Sequence, residues 1–157
     1  MKKVLLIHEA KKIALKLRLK KKILVAHGVF DVLHIGHLKY FEEIKKKYNN
    51  SILFVTITAD KYVNKGPSRP MFNQFQRAEM LSSLKLIDYV VIIDDYTAVQ
   101  SIKNIKPNYY FKGKEYKNAI YDQNLKLEKK ALDNISSKLE FIDTKKFSSS
   151  EIINNKF

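Results

Sequence analysis

Residues 22–37, KILVAHGVFDVLHIGH, join two kinds of hydrophobic pattern. Residues 22–30 are largely apolar and rich in β-branched side chains, which predicts a buried strand. After this strand, apolar residues recur at helical spacing at Leu38, Phe41 and Ile44, which predicts an amphipathic helix. The stretch is therefore a strand-to-helix turn, and it contains two of the four glycines of the chain.

The same alternation continues along the chain and predicts the fold class. Predicted strands cover residues 22–30, 51–60, 88–93, 108–113 and 139–143. Predicted helices cover residues 5–20, 37–48, 73–87, 97–106, 124–137 and 148–157. Strands that alternate with helices of this length favour right-handed crossovers and a parallel sheet covered on both faces. We therefore expect an α/β fold, a small doubly wound Rossmann-like domain with a five-stranded parallel sheet.

Length and composition limit the classes of protein that the chain can represent. At 157 residues it fits a single domain over residues 1–157, with an N-terminal helix in residues 1–21 and the core in residues 22–157. The absence of cysteine excludes a structural zinc site built from thiolates and fits a cytoplasmic protein. No apolar run approaches the roughly 20 residues of a membrane span, so we expect no membrane partner.

The formal net charge of +14 attracts polyanions, among which nucleic acid, anionic membranes and phosphorylated small molecules all qualify. Many lysines alternate with apolar residues on predicted helices, where a solvated helix face is the commoner explanation. Zinc-finger spacing and aromatic RNA-binding signatures are absent from the sequence. We therefore expect no nucleic-acid partner, and a polyanion-binding module without enzymatic activity remains an alternative.

The turn at residues 28–37 has the features of an anion site. A glycine at a strand end lets backbone amides approach a ligand, and a helix that opens at residues 35–37 presents N–H groups and the positive end of its dipole. His34 and His37 are three residues apart and share a face of that helix. A metal site would need a third donor, and purely structural histidines are the other alternative. The carboxyl ends of the strands, where this turn lies, are the usual ligand edge of such a sheet, which favours phosphate binding.

The segment GVFDVLHIGH, residues 28–37, resembles the signature of a nucleotidyltransferase superfamily. This superfamily includes glycerol-3-phosphate cytidylyltransferase, heptose-phosphate adenylyltransferase and pantetheine-phosphate adenylyltransferase. The segments SRPMFNQFQRAEMLSSLKLIDYVV, PNYYFKGKEY and FSSSEII follow in the order found in the sugar- and alcohol-phosphate branch, particularly the heptose-phosphate type. The resemblance covers nearly the whole chain from about Lys22.

The resemblance implies the reaction and its participants. A nucleoside monophosphate would pass from a nucleoside triphosphate to a phosphorylated sugar or polyol, with release of pyrophosphate. The products would be precursors of cell-surface polysaccharides. Magnesium would be carried by the nucleotide, and no resident metal ligands are expected. Because relatives commonly pair and the N-terminal helix is rich in apolar surface, we also expect a homodimer.

The resemblance also implies which residues act. It assigns the triphosphate and catalysis to His34, His37, Lys65 and Arg77. It places the nucleotide against Gly28, Val29, Phe30, Gly36, Lys112, Gly113, Glu115, Ser148, Ser149 and Ser150. The planar fork of an arginine suits bidentate contact with phosphate oxygens, and the serines open a second helix whose N-terminus suits an anion.

Two acidic residues need separate treatment. Glu115 stands where the family usually has Asp, so a role in holding magnesium or the base edge does not carry over directly. Asp31 would repel a polyphosphate, and we expect it to accept hydrogen bonds from backbone amides of its own turn.

The identity of the nucleotide stays open at this stage. The segments KGPSRP and FKGKEY are similar to the ATP-using heptose-phosphate type. A single domain without a fused sugar kinase is more typical of the cytidylyltransferases, and by a small margin we expect CTP, with ATP as the alternative.

Overall fold

The computed structural model describes residues 3–119 and 121–144. Within this part of the chain the strands are β1 (Val4–Leu5), β2 (Lys22–Gly28), β3 (Ser51–Thr58), β4 (Tyr89–Ile93), β5 (Tyr109–Gly113) and β6 (Lys138–Ile142). The helices are α1 (Ile7–Leu17), α2 (Ile35–Lys47), α3 (Gln74–Ser82), α4 (Val99–Ile105) and α5 (Gln123–Asp133). Every pair of neighbouring strands is parallel, so the predicted doubly wound α/β class is confirmed.

The order of the strands places the ligand crevice. The sheet has six strands in the order β1-β4-β3-β2-β5-β6. The chain winds from β2 towards β3 in one direction and later returns to place β5 on the other side of β2. In such sheets the crevice opens beyond the carboxyl ends of the two strands where the winding reverses. These ends are Gly28 in β2 and Gly113 in β5.

The core lies on both faces of the sheet. In β2, Ile23 and Val25 face a cluster that includes side chains of α1, α4 and α5, whereas Leu24 and Ala26 face a cluster that includes side chains of α2 and α3. All four are fully buried. Burial on both faces explains why this strand has a continuous apolar run instead of alternating polarity.

The sixth strand corrects the sequence prediction. The helix expected at residues 5–20 begins at Ile7, and the residues before it form β1, which pairs with β4 at the edge of the sheet. Leu5 is buried, and the side chain of Glu9 accepts a hydrogen bond from the Leu6 amide at 2.7 Å, which fixes the start of the helix. A strand of two residues is too short to show a period, so it was merged with the helix that follows. The N-terminal segment is therefore part of the sheet.

The remaining boundaries are close to expectation, with one shortened helix. The helix predicted at residues 73–87 ends at Ser82. Asn73 caps it as predicted, because its side chain accepts hydrogen bonds from the amides of Phe75 and Gln76, both at 3.0 Å. The predicted closing helix at residues 148–157 lies outside the described residues. Across residues 3–119 and 121–144, no helix combines the length and apolarity needed to cross a membrane.

Candidate functional site

Two histidines are fixed to each other at the start of α2. His34 is the N-cap residue, and its Nδ1 accepts a hydrogen bond from the Gly36 amide at 3.1 Å. The amide of His34 in turn donates to Nδ1 of His37 at 3.4 Å. The two rings stack with their centroids 3.8 Å apart and their planes inclined by 22°. The sequence therefore produces a reciprocal cap in which both imidazoles have a defined orientation.

The hydrogen bonds also define the protonation of the pair. A ring nitrogen that accepts a hydrogen bond from an amide carries no proton, so in each neutral ring the proton resides on Nε2. Burial lowers the pKa of His37 to about 3, and the nearby His34 and Lys65 lower it further in the same direction. Burial and Lys65 also lower the pKa of His34. At neutral pH the pair therefore offers two uncharged Nε2–H donors.

The glycine at the end of β2 has a different role from the one predicted. Instead of leaving its backbone open to a ligand, Gly28 lies beneath the ring of Phe30, and a Cβ at this position would be 3.0 Å from Cε2 of that ring. Phe30 has a φ of +49°, a left-handed conformation that a bulky residue adopts only when its surroundings hold it there. Its buried ring meets His37 edge to face, with centroids 5.2 Å apart. Gly28 and Phe30 therefore support the histidine and are not arranged as nucleotide contacts.

The amides at the start of α2 are less available than the sequence suggested. The Gly36 amide donates to His34 Nδ1, and the His37 amide donates to the His34 carbonyl oxygen at 2.9 Å. Gly36 itself is buried. Direct amide contact between Gly36 and a nucleotide is thus not supported, and attraction for an anion rests mainly on the imidazoles and the lysine beside them.

That lysine, Lys65, lies in the loop between β3 and α3. It is exposed, and within the described part of the chain no hydrogen bond or ion pair occupies its ammonium group. Partial burial lowers its pKa, as does the charge of Arg69, and the Lys65 charge lowers the pKa of both histidines. The structure therefore brings Lys65, His34 and His37 together as one group with the capacity to bind an anion.

Asp31 connects the histidine turn to the lysine loop. It is buried, and its Oδ1 accepts hydrogen bonds from the amides of Met71 at 2.7 Å and Phe72 at 3.2 Å. Its Oδ2 accepts from Nε of Arg69 at 2.5 Å. The carboxylate has the kind of structural role predicted for it, but the amides belong to the loop before α3 and not to its own turn. The partnership with Arg69 also neutralises its charge near the site.

Arg77 requires the largest correction among the predicted site residues. Its side chain is fully buried and does not face a ligand in this arrangement. Nη1 donates to the Val29 carbonyl oxygen at 2.5 Å, Nε donates to that of Phe72 at 3.0 Å, and Nη2 donates to that of Thr58 at 2.9 Å. Nη2 also donates to Oδ1 of Asp60 at 2.6 Å. The guanidinium group joins the ends of β2 and β3 to the start of α3, which makes Arg77 a positioning residue.

Lys112, predicted to contact the nucleotide, is also engaged inside the protein. Its side chain is 9% exposed, and Nζ lies 3.1 Å from Oε2 of Glu128 in α5. The other oxygen of Glu128 accepts a hydrogen bond from the Ala98 amide at 3.1 Å. Sequence analysis missed Glu128 because a glutamate beside two lysines on a helix is typical of a solvated face. The pair stabilises the contact between β5 and α5, and Lys112 does not face the histidines as a nucleotide ligand.

The remaining predicted residues are only partly placed. Gly113 ends β5, and the carboxylate of exposed Glu115 occupies the space that a Cβ at Gly113 would take. The three predicted serines lie outside the described residues: Ser148, Ser149 and Ser150. Among the residues that the structure describes, no group of three histidine, cysteine or acidic side chains is arranged to hold a metal ion.

A second polar group lies close to the end of β2 and was not assigned a role from the sequence. Nδ1 of His27 is 2.9 Å from the hydroxyl oxygen of Thr56, and its Nε2 is 3.3 Å from that of Thr58. Burial lowers the pKa of His27 to about 3, and the charge of Lys112 lowers it as well. The neutral ring therefore bridges two hydroxyl groups of β3 and fixes the strand ends beside the site. A polar residue directly before the turn glycine was the available signal.

Comparison with known proteins identifies the family. The family model described as cytidylyltransferase-like matches residues 25–155. The bifunctional protein HldE of Aliarcobacter butzleri is 38% identical over 151 residues, which are 94% of this chain and 31% of that protein. The bifunctional protein HldE of Campylobacter jejuni subsp. doylei is 39% identical over 136 residues, or 85% of this chain and 27% of that protein. This chain thus spans less than a third of the length of these curated relatives.

Two solved structures share the fold. The lipopolysaccharide core biosynthesis protein from Thermoplasma volcanium has a TM-score of 0.60 and 25% identity, over 81% of this chain and 98% of that chain. Pantoate-beta-alanine ligase from Francisella tularensis has a TM-score of 0.66 over 96% of this chain and 72% of that chain, but its 19% identity supports the fold alone. With a family model that matches most of its length, and with the histidine turn at the end of β2, this chain belongs to the cytidylyltransferase-like family.

Proposed function

We propose that this chain transfers a nucleotidyl group from a nucleoside triphosphate to a phosphorylated sugar or polyol, with release of pyrophosphate. The observation that carries the proposal is the group of His34, His37 and Lys65 at the carboxyl edge of the sheet. Two neutral Nε2–H donors and one ammonium suit phosphate oxygens, because they supply directed hydrogen bonds and a positive charge. Membership of the cytidylyltransferase-like family supports the same class of reaction.

The proposed reaction needs no nucleophilic side chain, since the acceptor supplies its own phosphate oxygen. This oxygen attacks the α-phosphorus and forms the new P–O bond. The bond between the α-phosphorus and the oxygen bridging to the β-phosphate breaks, and pyrophosphate leaves with the electron pair. The two imidazoles donate hydrogen bonds to phosphate oxygens on which charge develops, and Lys65 neutralises part of that charge. Catalysis then derives from positioning and electrostatic stabilisation.

Both substrates are multiply charged, and their metal enters with them. Magnesium would accompany the nucleotide as part of the substrate, bridging its phosphate oxygens. The buried arginine, Arg77, acts at a distance by holding the backbone of Val29 and the end of β3, as its hydrogen bonds to both carbonyl oxygens indicate. Asp31 fixes the loop that carries Lys65.

We propose ATP as the nucleotide, in place of the CTP that the sequence slightly favoured. The similarity to the HldE proteins supports this choice, as does the resemblance of residues 64–70 and 111–116 to the heptose-phosphate adenylyltransferase type. The name cytidylyltransferase-like does not decide the nucleotide, because that superfamily also includes adenylyltransferases. The acceptor is then a sugar phosphate, and its product is a precursor of cell-surface polysaccharide. A cytoplasmic homodimer remains our prediction for the assembled protein.

A screen of pyrophosphate release tests the proposal. ATP, CTP, GTP and UTP are each combined with heptose, hexose, glycerol and alditol phosphates, with magnesium present. We expect release with ATP and one class of sugar phosphate, and its loss in Lys65→Gln but not in the control Lys117→Gln, which removes the same charge from an exposed position. Faster release with CTP would overturn the nucleotide assignment. No release from any pair by a folded protein would contradict nucleotidyl transfer and favour a non-enzymatic polyanion-binding module.

A further inference from the structure

A second basic site lies at the opposite edge of the sheet. There, the end of α1 and the turn after α2 enclose a cavity of about 510 Å³ beside the amino ends of β2, β3 and β5. Five cationic side chains line it: Arg18, Lys20, Lys21, Lys22 and Lys47. Three asparagines and one tyrosine complete the lining, which includes no carboxylate.

Part of this positive charge has a structural explanation. The carbonyl end of a helix carries partial negative charge and favours lysine or arginine nearby, and several helices of this fold end at this edge. Nη2 of Arg18 donates to the Ile105 carbonyl oxygen at 2.7 Å and to that of Lys106 at 3.3 Å, both at the end of α4. Lys47 pairs with Glu140 at 2.7 Å. These two cations therefore have partners within the protein.

The other three cations do not. Within residues 3–119 and 121–144, neither Lys20 nor Lys21 nor Lys22 forms an ion pair, and Lys22 has only a contact over the ring of Tyr109 at 5.5 Å. Nε of Arg18 is buried and has no hydrogen-bond acceptor. Consecutive cations repel one another, and a buried donor without an acceptor is unfavourable. A bound anion would satisfy both.

We propose that this cavity binds a small anion that contains two or more linked phosphate groups. Its volume falls in the range of small-molecule sites, about 300–1,000 Å³. Three neighbouring ammonium groups suit several phosphates on one molecule better than a single carboxylate, and the asparagine amides supply further donors.

A nucleic acid fits the cavity less well. Single-stranded nucleic acids bind along extended basic grooves with exposed aromatic rings on which bases stack. Tyr48 does not offer such a ring, because it packs against Tyr109 with centroids 4.3 Å apart and donates a hydrogen bond to Glu140 at 2.7 Å. The enclosed shape and the occupied ring both favour a compact ligand.

This site is separate from the proposed catalytic site. β2 runs from Lys22 at the cavity to Gly28 beside the histidine turn, a distance of about 20 Å at roughly 3.3 Å per residue. One triphosphate cannot occupy both ends. The proposal therefore does not depend on nucleotidyl transfer, and it can hold or fail independently of that reaction.

Calorimetric titration of the full chain with inorganic tripolyphosphate tests the proposal. The background is Lys65→Gln/His37→Gln, which weakens the catalytic site. We expect binding in this background and at least a tenfold loss of affinity when Lys20→Gln/Lys21→Gln is added. The matched control, Lys11→Gln/Lys12→Gln, removes the same charge from exposed positions of α1 outside the cavity lining and should retain the affinity.

Two further arms identify the source of the phosphates. Competition between ATP and tripolyphosphate for the cavity would support the proposal with a nucleotide as one natural ligand, and tripolyphosphate binding without ATP binding would support a free polyphosphate. Equal weakening by the cavity and control variants would overturn the proposal, since only net charge would then matter. Binding of a single-stranded oligonucleotide at these lysines, without binding of tripolyphosphate, would also overturn it.

Discussion

Replacing Arg77 by lysine tests the structural role of the buried guanidinium. The arginine donates four hydrogen bonds in the plane of its fork, to three backbone carbonyl oxygens and to Asp60. A lysine keeps the positive charge but concentrates its three donors on one atom. An ammonium group placed near Asp60 and Thr58 would leave the carbonyl oxygens of Val29 and Phe72 without a donor.

The size of the effect follows from those two lost partners. A buried acceptor left without a hydrogen bond costs about 1–2 kcal/mol, so the pair costs about 2–4 kcal/mol of unfolding free energy. With a urea m-value of about 2 kcal/mol/M, the unfolding midpoint should fall by about 1–2 M. Turnover should fall as well, because Val29 directly precedes Phe30, whose ring supports His37.

Urea titration followed by circular dichroism measures this effect. Arg18→Lys is the matched control: Arg18 is only partly buried and donates to two carbonyl oxygens at the end of α4, so we expect a loss below about 1 kcal/mol. An Arg77→Lys midpoint within about 0.3 M of the parent would refute the buried network. If turnover nevertheless fell more than about tenfold, direct contact between Arg77 and phosphate would be the better explanation.

Three further predictions follow from the same geometry. Gly28→Ala should lower turnover and destabilise the fold by about 1–3 kcal/mol, since the new Cβ would lie 3.0 Å from the ring of Phe30 and displace it from His37; urea titration and kinetics measure both, and unchanged values would contradict the contact. Lys65→Met should reduce turnover by about 100-fold or more at unchanged unfolding midpoint, because the exposed ammonium supports no fold contact; equal loss of stability would assign it a structural role. His27 and His37 have a pKa of about 3 in the folded chain against 6.5 in the unfolded chain, so the unfolded state binds more protons between these values and stability falls as pH decreases from 6.5 towards 3. His27→Gln should make the unfolding midpoint less sensitive to pH between 5 and 7, and an unaltered pH dependence would contradict the buried neutral ring.

The sequence was sufficient for the architecture because hydrophobic runs and helical periods are local signals. Strand β2 and helix α2 have a strong pattern over many residues, and the rule that ligands bind at the carboxyl ends of parallel strands then located the histidine turn. The two residues of β1 could not be separated from α1, since their strand character arises only from pairing with β4.

The contacts within the site depend on residues far apart in the chain, and sequence patterns do not contain them. Arg77 was placed correctly near the start of α3, but its burial depends on the carbonyl oxygen of Val29, which is 48 residues away. Lys112 likewise pairs with a glutamate on a helix whose orientation the period alone did not fix. The left-handed backbone of Phe30 is a third case, because no local preference of phenylalanine predicts it.

The central claim is that neutral histidines, held through Nδ1, bind the triphosphate through Nε2. Nitrogen-15 NMR of the histidine side chains, with and without a non-hydrolysable ATP analogue and magnesium, tests it most directly, with His34→Gln and His37→Gln providing the assignments. At pH 7 the account predicts that both rings have a proton on Nε2 and none on Nδ1, and that both Nε2 signals shift when the analogue binds while His27 is far less affected. Doubly protonated rings at pH 7, protonation at Nδ1, or signals of His34 and His37 that do not respond to the analogue would contradict it.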